Sequence, residues 1–210
     1  EETRVFDFLH GIGAAFSEGV RSSELHRLIV ESAMRILDAQ SGALYIADKA
    51  GTSLTPSHLS EGCPAFFEMP KALLDQTQGA PDLLQGLLRI QPVLPDSNGP
   101  LADCWRGNEV RVVPTLEIGK TSSPPAILGP LVYRNKILGV LALSGHGHRS
   151  SFSSKDITVF RTIVEQGAFA LYNEAVYLEA GQKKLLDRDL EIARDIQRVL
   201  LPEADPVFSG

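Results

Sequence analysis

The sequence predicts an α+β domain, with helices flanking a central antiparallel sheet, extended by a C-terminal coiled-coil helix. Three observations predict it. Of the 13 prolines, none falls in residues 1–55, eleven lie between Pro56 and Pro130, and the last two are Pro202 and Pro206. Proline is costly inside helices and central strands, so the long regular elements belong to the two ends and the middle is broken into short pieces. Second, Ile127–Tyr133 and Ile137–Leu143 are apolar runs flanking Arg134-Asn135-Lys136. That is a hairpin apolar on both faces, and therefore central in its sheet. Third, Val164, Ala168, Leu171, Ala175, Leu178, Gln182, Leu185, Asp189, Ile192, Ile196 and Val199 are spaced alternately four and three. Nine of these eleven positions are apolar, which makes them a heptad seam.

Composition narrows the function classes. Hydrophobic residues make up 43% of the 210 and charged residues 22%, enough apolar material for a core. The net charge of −6 leaves no basic surplus for nucleic acid. Two cysteines, Cys63 and Cys104, are too few for a disulfide framework or a four-cysteine zinc site. EETRVFDFLH has no basic n-region or apolar core of a signal peptide, and runs such as Val140–Leu143 are far too short to cross a bilayer. The expectation is a soluble, cytoplasmic, acidic protein.

Along the chain, Val5, Phe8, Leu9, Ile12 and Phe16 have helical spacing and Gly19 is a stop. Residues 1–19 therefore read as an N-terminal helix, expected to pack beside the C-terminal one. A second helix starts at Ser22 or Ser23, either of which can cap it, with an apolar face of Leu25, Leu28, Ile29, Ala33, Ile36 and Leu37. Ala43–Ala47 and the turn Asp48–Thr52 predict a hairpin. The pattern weakens over 61–125, where Leu73-Leu74 and Leu83–Ile90 read as short helices, Val110–Val113 as a strand and Thr121–Pro125 as a loop. After the second hairpin, Ser153 and Asp156 resemble a capping box, with Phe152 and Ile157 placed as a hydrophobic staple. The helix that starts there runs to Leu201, where Pro202 stops it. Gln182 and Asp189 interrupt its seam, and Gly181 marks a soft joint beside them. A parallel coiled coil between two copies and a long helix folded back on its own domain both fit this pattern.

The order helix, helix, hairpin, irregular middle, apolar hairpin, long helix resembles a GAF domain, a PAS-like fold. The residues that carry the resemblance are Gly129-Pro130-Leu131-Val132-Tyr133-Arg134-Asn135-Lys136-Ile137-Leu138-Gly139-Val140-Leu141-Ala142-Leu143. Phe152-Ser153, Asp156, Gln166, Ala168, Ala170-Leu171 and Asn173-Glu174-Ala175 continue it. A second segment, Asp189-Leu190-Glu191-Ile192-Ala193-Arg194-Asp195-Ile196-Gln197-Arg198-Val199-Leu200-Leu201-Pro202, resembles the linker that joins sensor domains to SpoIIE/RsbU-like PP2C-type (PPM) serine phosphatases. The two resemblances imply a GAF domain at 20–178, a coiled-coil linker helix at 179–201 and the start of a truncated phosphatase domain at 202–210. They imply no catalytic residue, metal or cofactor in this chain, since the carboxylates that hold Mg or Mn in such a phosphatase would lie beyond Gly210. The implied function is a homodimeric sensor, answering an unknown small-molecule or protein signal, that controls a phosphatase in cis. Its substrate would be a phosphorylated anti-sigma-factor antagonist. The competing functions are a ligand-free dimerisation module and a GAF sensor of another output, a histidine kinase or diguanylate cyclase.

Individual residues add little chemistry. His146-Gly147-His148 is the one close pair of potential metal ligands, and it reads as a solvated glycine-rich loop because zinc needs three or four ligands. Cys104 lies where some GAF domains attach a bilin, but Trp105 follows it rather than a histidine, so it reads as a buried thiol. Haem would need an axial histidine such as His58 or His146. Cyclic-nucleotide binding would draw on Arg106, Arg111 and Lys120. No Walker A, G-x-S-x-G, H-E-x-x-H or G-x-G-x-x-G motif is present. The candidate ligand-binding residues are Tyr45, Trp105 and Arg106, and the candidate dimer seam is Val164, Leu171, Leu178, Leu185, Ile192, Ile196 and Val199.

Overall fold

The computed structural model describes residues 21–77, 80–118, 121–147 and 151–200. The N-terminal helix expected over 1–19, the start of a phosphatase domain at 202–210, and Lys120 and His148 lie outside the described residues. The chain divides into two compact units, with the boundary between Tyr172 and Asn173.

The first unit is built on a five-stranded antiparallel sheet in the order β2-β1-β7-β6-β3. Its strands are β1 (Ser41–Ala47), β2 (Leu54–Leu59), β3 (Arg111–Val113), β6 (Ala126–Tyr133) and β7 (Lys136–Ser144). Both expected hairpins form, and β7 is the central strand, bounded by β1 and β6. The β1–β2 turn is tied by the Asp48 carboxylate, which accepts from the Thr52 N–H at 2.6 Å. The β6–β7 turn places Arg134 and Asn135 at φ 49° and 61°, as a tight hairpin turn requires.

Alternation along the strands gives the sheet two different faces. Leu44, Ile127, Leu131, Leu141 and Leu143 point to one side and join Leu25, Ile29, Val30, Ala33, Phe160, Ile163, Val164, Ala168 and Leu171 in a core cluster. These partners come from α1 (Ser22–Leu37) and from the first part of α5 (Ser154–Leu200). Gly129 lets α5 come close, because a Cβ there would stand 2.7 Å from the Phe160 ring and 2.8 Å from Val164. Ala43, Tyr45, Leu54, Leu59, Ala126, Leu128, Val140 and Ala142 point to the other side. That face is covered by the segment between β2 and β3, which holds α2 (Lys71–Thr77), α3 (Pro81–Leu88) and α4 (Pro100–Gly107).

Several expectations need correction. The N-cap of α1 is Arg21, with no side-chain cap bond, so Ser22 and Ser23 lie inside the first turn and cap nothing. Thr121–Pro125 is not all loop: β5 (Thr121–Ser123) pairs with β4 (Leu116–Ile118) in a small second sheet, and Pro124 follows directly after it. Helix α4 was not expected, although Gly99-Pro100 opens it with proline in the first turn, where the missing N–H costs nothing.

The capping box of α5 forms. Asp156 accepts from the Ser153 N–H at 2.7 Å and the Ser153 hydroxyl at 2.6 Å, and the Ser153 Oγ accepts from the Asp156 N–H at 3.3 Å. The heptad seam is divided. Val164, Ala168 and Leu171 are buried in the core of their own domain, as the folded-back reading has it. Leu178, Leu185 and Ile192 are exposed on the second unit, and the side chains of Ile196 and Val199 lie outside the described residues. Near the end of the buried stretch, Arg134 stacks on Tyr133 and Tyr172 and donates to the Tyr172 hydroxyl at 3.3 Å. Among the described residues, no helix is long and apolar enough to cross a membrane.

Candidate functional site

The face of the sheet turned away from α1 and α5 collects the unusual chemistry. Tyr45 enters it because β1 alternates, with Leu44 going to the helix side and Tyr45 to this one. Its side chain is wholly buried, and its hydroxyl has no hydrogen-bond partner among the described residues. Burial, reinforced by the nearby Cys63 thiol, pushes the phenol far above its ordinary range, so it stays protonated. Cys63 is itself buried, and burial raises its thiol to about 12 against a smaller opposing pull from Arg89.

Helix α3 supplies the next polar group. Gln85 Nε2 donates to the Cys63 carbonyl at 2.7 Å, leaving Gln85 Oε1 buried without a partner among the described residues. One turn on, Arg89 reaches the Leu59 carbonyl at 3.4 Å and stays solvent-exposed. Tyr45 and Cys63 share their cluster with Phe66, Phe67, Leu88, Leu128 and Val140, so the orphaned Tyr45 hydroxyl belongs to an apolar cluster.

Helix α4 closes the other end. Leu101, Ala102, Cys104 and Trp105 are its buried residues, and burial pushes the Cys104 thiol up to about 12, with Arg111 opposing and Glu109 adding. Tyr45 and Trp105 thus join one cluster, while Arg106 does not enter it. The Arg106 guanidinium donates to the carbonyls of Pro95 and Ser97 and pairs with Asp103, fastening the loop before α4. Arg111 pairs with Glu109 at 3.4 Å, and its Nε is buried without a partner among the described residues. Gln85 and Cys63 were not singled out in the sequence. Nothing in a lone Gln-Gly pair within an apolar helix signals an orphaned acceptor.

His146 corrects the reading of a solvated loop. It is 5% exposed, its ring stacks on Phe152 at 5.0 Å, and its Nε2 lies 3.2 Å from the Asp156 carboxylate. The histidine is part of the brace that starts α5. Burial alone would raise the Asp156 carboxyl, but the bonds from Ser153 and His146 outweigh it and hold the group below its ordinary value. Among the described residues, no group of three or more His, Cys, Asp or Glu could hold a metal ion.

A family model described as the GAF domain matches residues 21–171. No curated protein sequence matches the chain. Among solved structures, the GAF domain from a phosphoenolpyruvate-protein phosphotransferase of Coxiella burnetii is similar at TM-score 0.58 and 12% identity, covering 84% of this chain and 98% of that one. The second GAF domain of DevS from Mycobacterium smegmatis is similar at TM-score 0.54 and 15% identity, covering 77% and 97%. A GAF domain/HD domain protein from Geobacter sulfurreducens gives 0.55 and 15%, covering 73% and 94%. At these identities the likeness is one of fold.

Proposed function

This chain belongs to the GAF domain family, a family of regulatory, non-catalytic domains, and we propose that it senses a small molecule on the Tyr45 face of its sheet and passes the signal out through α5. The observation that carries this reading is a pair of buried polar atoms left without partners among the described residues. Buried polar atoms are almost always paired, and an orphan costs roughly 1–3 kcal/mol. Tyr45 OH is orphaned within the cluster that includes Trp105, and Gln85 Oε1 is orphaned on α3, whose Leu88 belongs to that cluster.

The output we propose is a PP2C-type serine/threonine phosphatase carried after the linker. Its support is the segment Asp189–Pro202 and its resemblance to the linkers of SpoIIE/RsbU-like enzymes. In that reading the domain is cytoplasmic and works as a homodimer, with Leu178, Leu185 and Ile192 as the strip that meets a second copy. The Mg or Mn of the reaction belongs to the phosphatase domain, and the substrate is a phosphorylated anti-sigma-factor antagonist.

The test is hydrolysis of p-nitrophenyl phosphate with added manganese. The 210-residue chain gives no activity above buffer, and a longer natural chain continuing past residue 210 gives metal-dependent activity. A longer chain that instead makes a cyclic dinucleotide or autophosphorylates on histidine overturns the phosphatase and leaves the sensor.

A further inference from the structure

The turn between β6 and β7 keeps a residue that its backbone does not favour. Arg134 and Asn135 are both in the left-handed region, at φ 49° and 61°. Asparagine visits that region readily, whereas for arginine it is costly and glycine is the ordinary choice. Such a residue persists where its surroundings hold it there, and it marks a place to look for a switch. The Arg134 guanidinium stands 5.6 Å from the centre of the Tyr133 ring and 5.4 Å from that of Tyr172, and it donates to the Tyr172 hydroxyl at 3.3 Å. We propose that Arg134 is a latch, fastening the last packed turn of α5 to the β6–β7 turn, through which the state of the sheet reaches the helix; this rests on the reading of α5 as the route by which the signal leaves.

Position along the helix supports this. Ala168, Ala170 and Leu171 are buried, and residues 175–194 are all exposed, so the packing of α5 ends within a residue or two of Tyr172. Beyond Leu171 it is side chains from the turn that hold the helix. The Tyr133 ring lies 4.5 Å from that of Tyr172 and 5.7 Å from that of Phe169, one helical turn apart, and Arg134 closes over the first pair. The strands that meet at this turn read both faces of the sheet, with Leu128 and Val140 on the Tyr45 side and Leu131 and Leu141 on the helix side. A shift of either strand is therefore carried to the tip where Arg134 sits. Arg134 is exposed, and cation–π contacts and hydrogen bonds at exposed sites are individually weak, so the latch can open without unfolding the domain.

The test is amide hydrogen exchange and amide NMR shifts of the 210-residue chain. Arg134→Gly relieves the left-handed backbone and removes the latch in one step, so a mere turn residue and a latch give opposite results. The expected result is about tenfold faster exchange at residues 169–176, with residues 131–138 protected as well as in wild type or better. Tyr172→Phe keeps the ring and loses the acceptor, and should give about threefold. Arg134→Lys keeps the charge and loses the planar fork, and should fall between wild type and Arg134→Gly. Unchanged exchange at 169–176 in Arg134→Gly overturns the latch, as does faster exchange spread equally over β6, β7 and α5. The coupling is read with Val140→Ala, which perturbs the Tyr45 side of the sheet. It should move the amide shifts of residues 169–176 when Arg134 is present and leave them in place in the Arg134→Gly background. Equal movement in both backgrounds overturns the latch as the path. No movement in either, with the faster exchange of Arg134→Gly intact, leaves the fastening standing and overturns α5 as the route out.

Discussion

The two faces of one sheet have been built to different standards. The same strands supply both, residue by residue in alternation. On the helix side, Leu44, Ile127, Leu131, Leu141 and Leu143 pack with α1 and α5 in an apolar cluster, and among the described residues the orphaned atom there, His146 Nδ1, belongs to a ring that braces the start of α5. On the other side, the cluster contains a wholly buried tyrosine with an orphaned hydroxyl and two neutral thiols, and Gln85 leaves a buried oxygen beside it. The difference teaches that stability and recognition are divided across the thickness of the sheet. The helix face can be optimised for packing because nothing needs to enter it. The other face keeps polar groups that a pure core would have discarded.

Substitutions can break or sharpen this division. The largest effect should come from emptying the helix face. Phe160→Ala removes a wholly buried ring and should cost about 3–5 kcal/mol by urea denaturation. Gly129→Ala overfills the same place by pushing a methyl into Phe160 and Val164, and should cost about 1–3 kcal/mol. A loss below about 0.5 kcal/mol (about a twofold change in equilibrium) in either variant would mean that this face is not the packed side.

The start of α5 belongs to the same side and should show a smaller, pH-dependent effect. Ser153→Ala removes the cap and should cost about 1 kcal/mol at neutral pH. Because the Asp156 carboxyl titrates below its ordinary value when folded, its contribution is fully present above about pH 4. It is lost as pH falls through the folded value. Acid denaturation of Asp156→Asn should therefore lack this loss, and its stability gap to wild type should narrow as the solution is acidified.

Beyond Tyr172 the same helix should behave as neither face does. Leu185 is 63% exposed and Ile192 49%, so Leu185→Asp with Ile192→Asp should shift the domain's stability by less than about 0.5 kcal/mol. The double variant should turn a dimer into a monomer by light scattering. An unchanged dimer mass would place the contact between copies elsewhere.

How much of this was legible varied with how local the cause is. Both hairpins and the capping box followed from alternation and one Ser-x-x-Asp pattern, carried within a few residues, whereas the heptad spacing did not separate Val164 and Leu171, packed in their own core, from the exposed Leu178, Leu185 and Ile192. The middle was not legible, because its elements are short and are held by distant partners. β2 is bridged from Leu54 to Val93, and Leu101 in α4 donates its N–H to the Phe66 carbonyl at 3.0 Å. Of the candidate site, Tyr45 and Trp105 do share a cluster. Arg106 was picked out for its charge, which is spent on the loop before α4. Gln85, Cys63 and the burial of His146 were missed, because an orphaned acceptor or a buried ring is set by tertiary packing rather than by any local pattern.

The central claim, that the Tyr45 face reserves polar atoms for something other than the fold, is tested most directly by Tyr45→Phe in the ligand-free chain. The variant deletes one oxygen and preserves the ring's packing. If the hydroxyl has no partner in the folded protein, removing it relieves a buried orphan. The urea midpoint should then stay unchanged or rise, with a gain of up to about 1 kcal/mol. A fall of more than about 1 kcal/mol would show that the hydroxyl already holds a structural hydrogen bond. The two faces would then both be closed cores, and the division proposed between them would be contradicted.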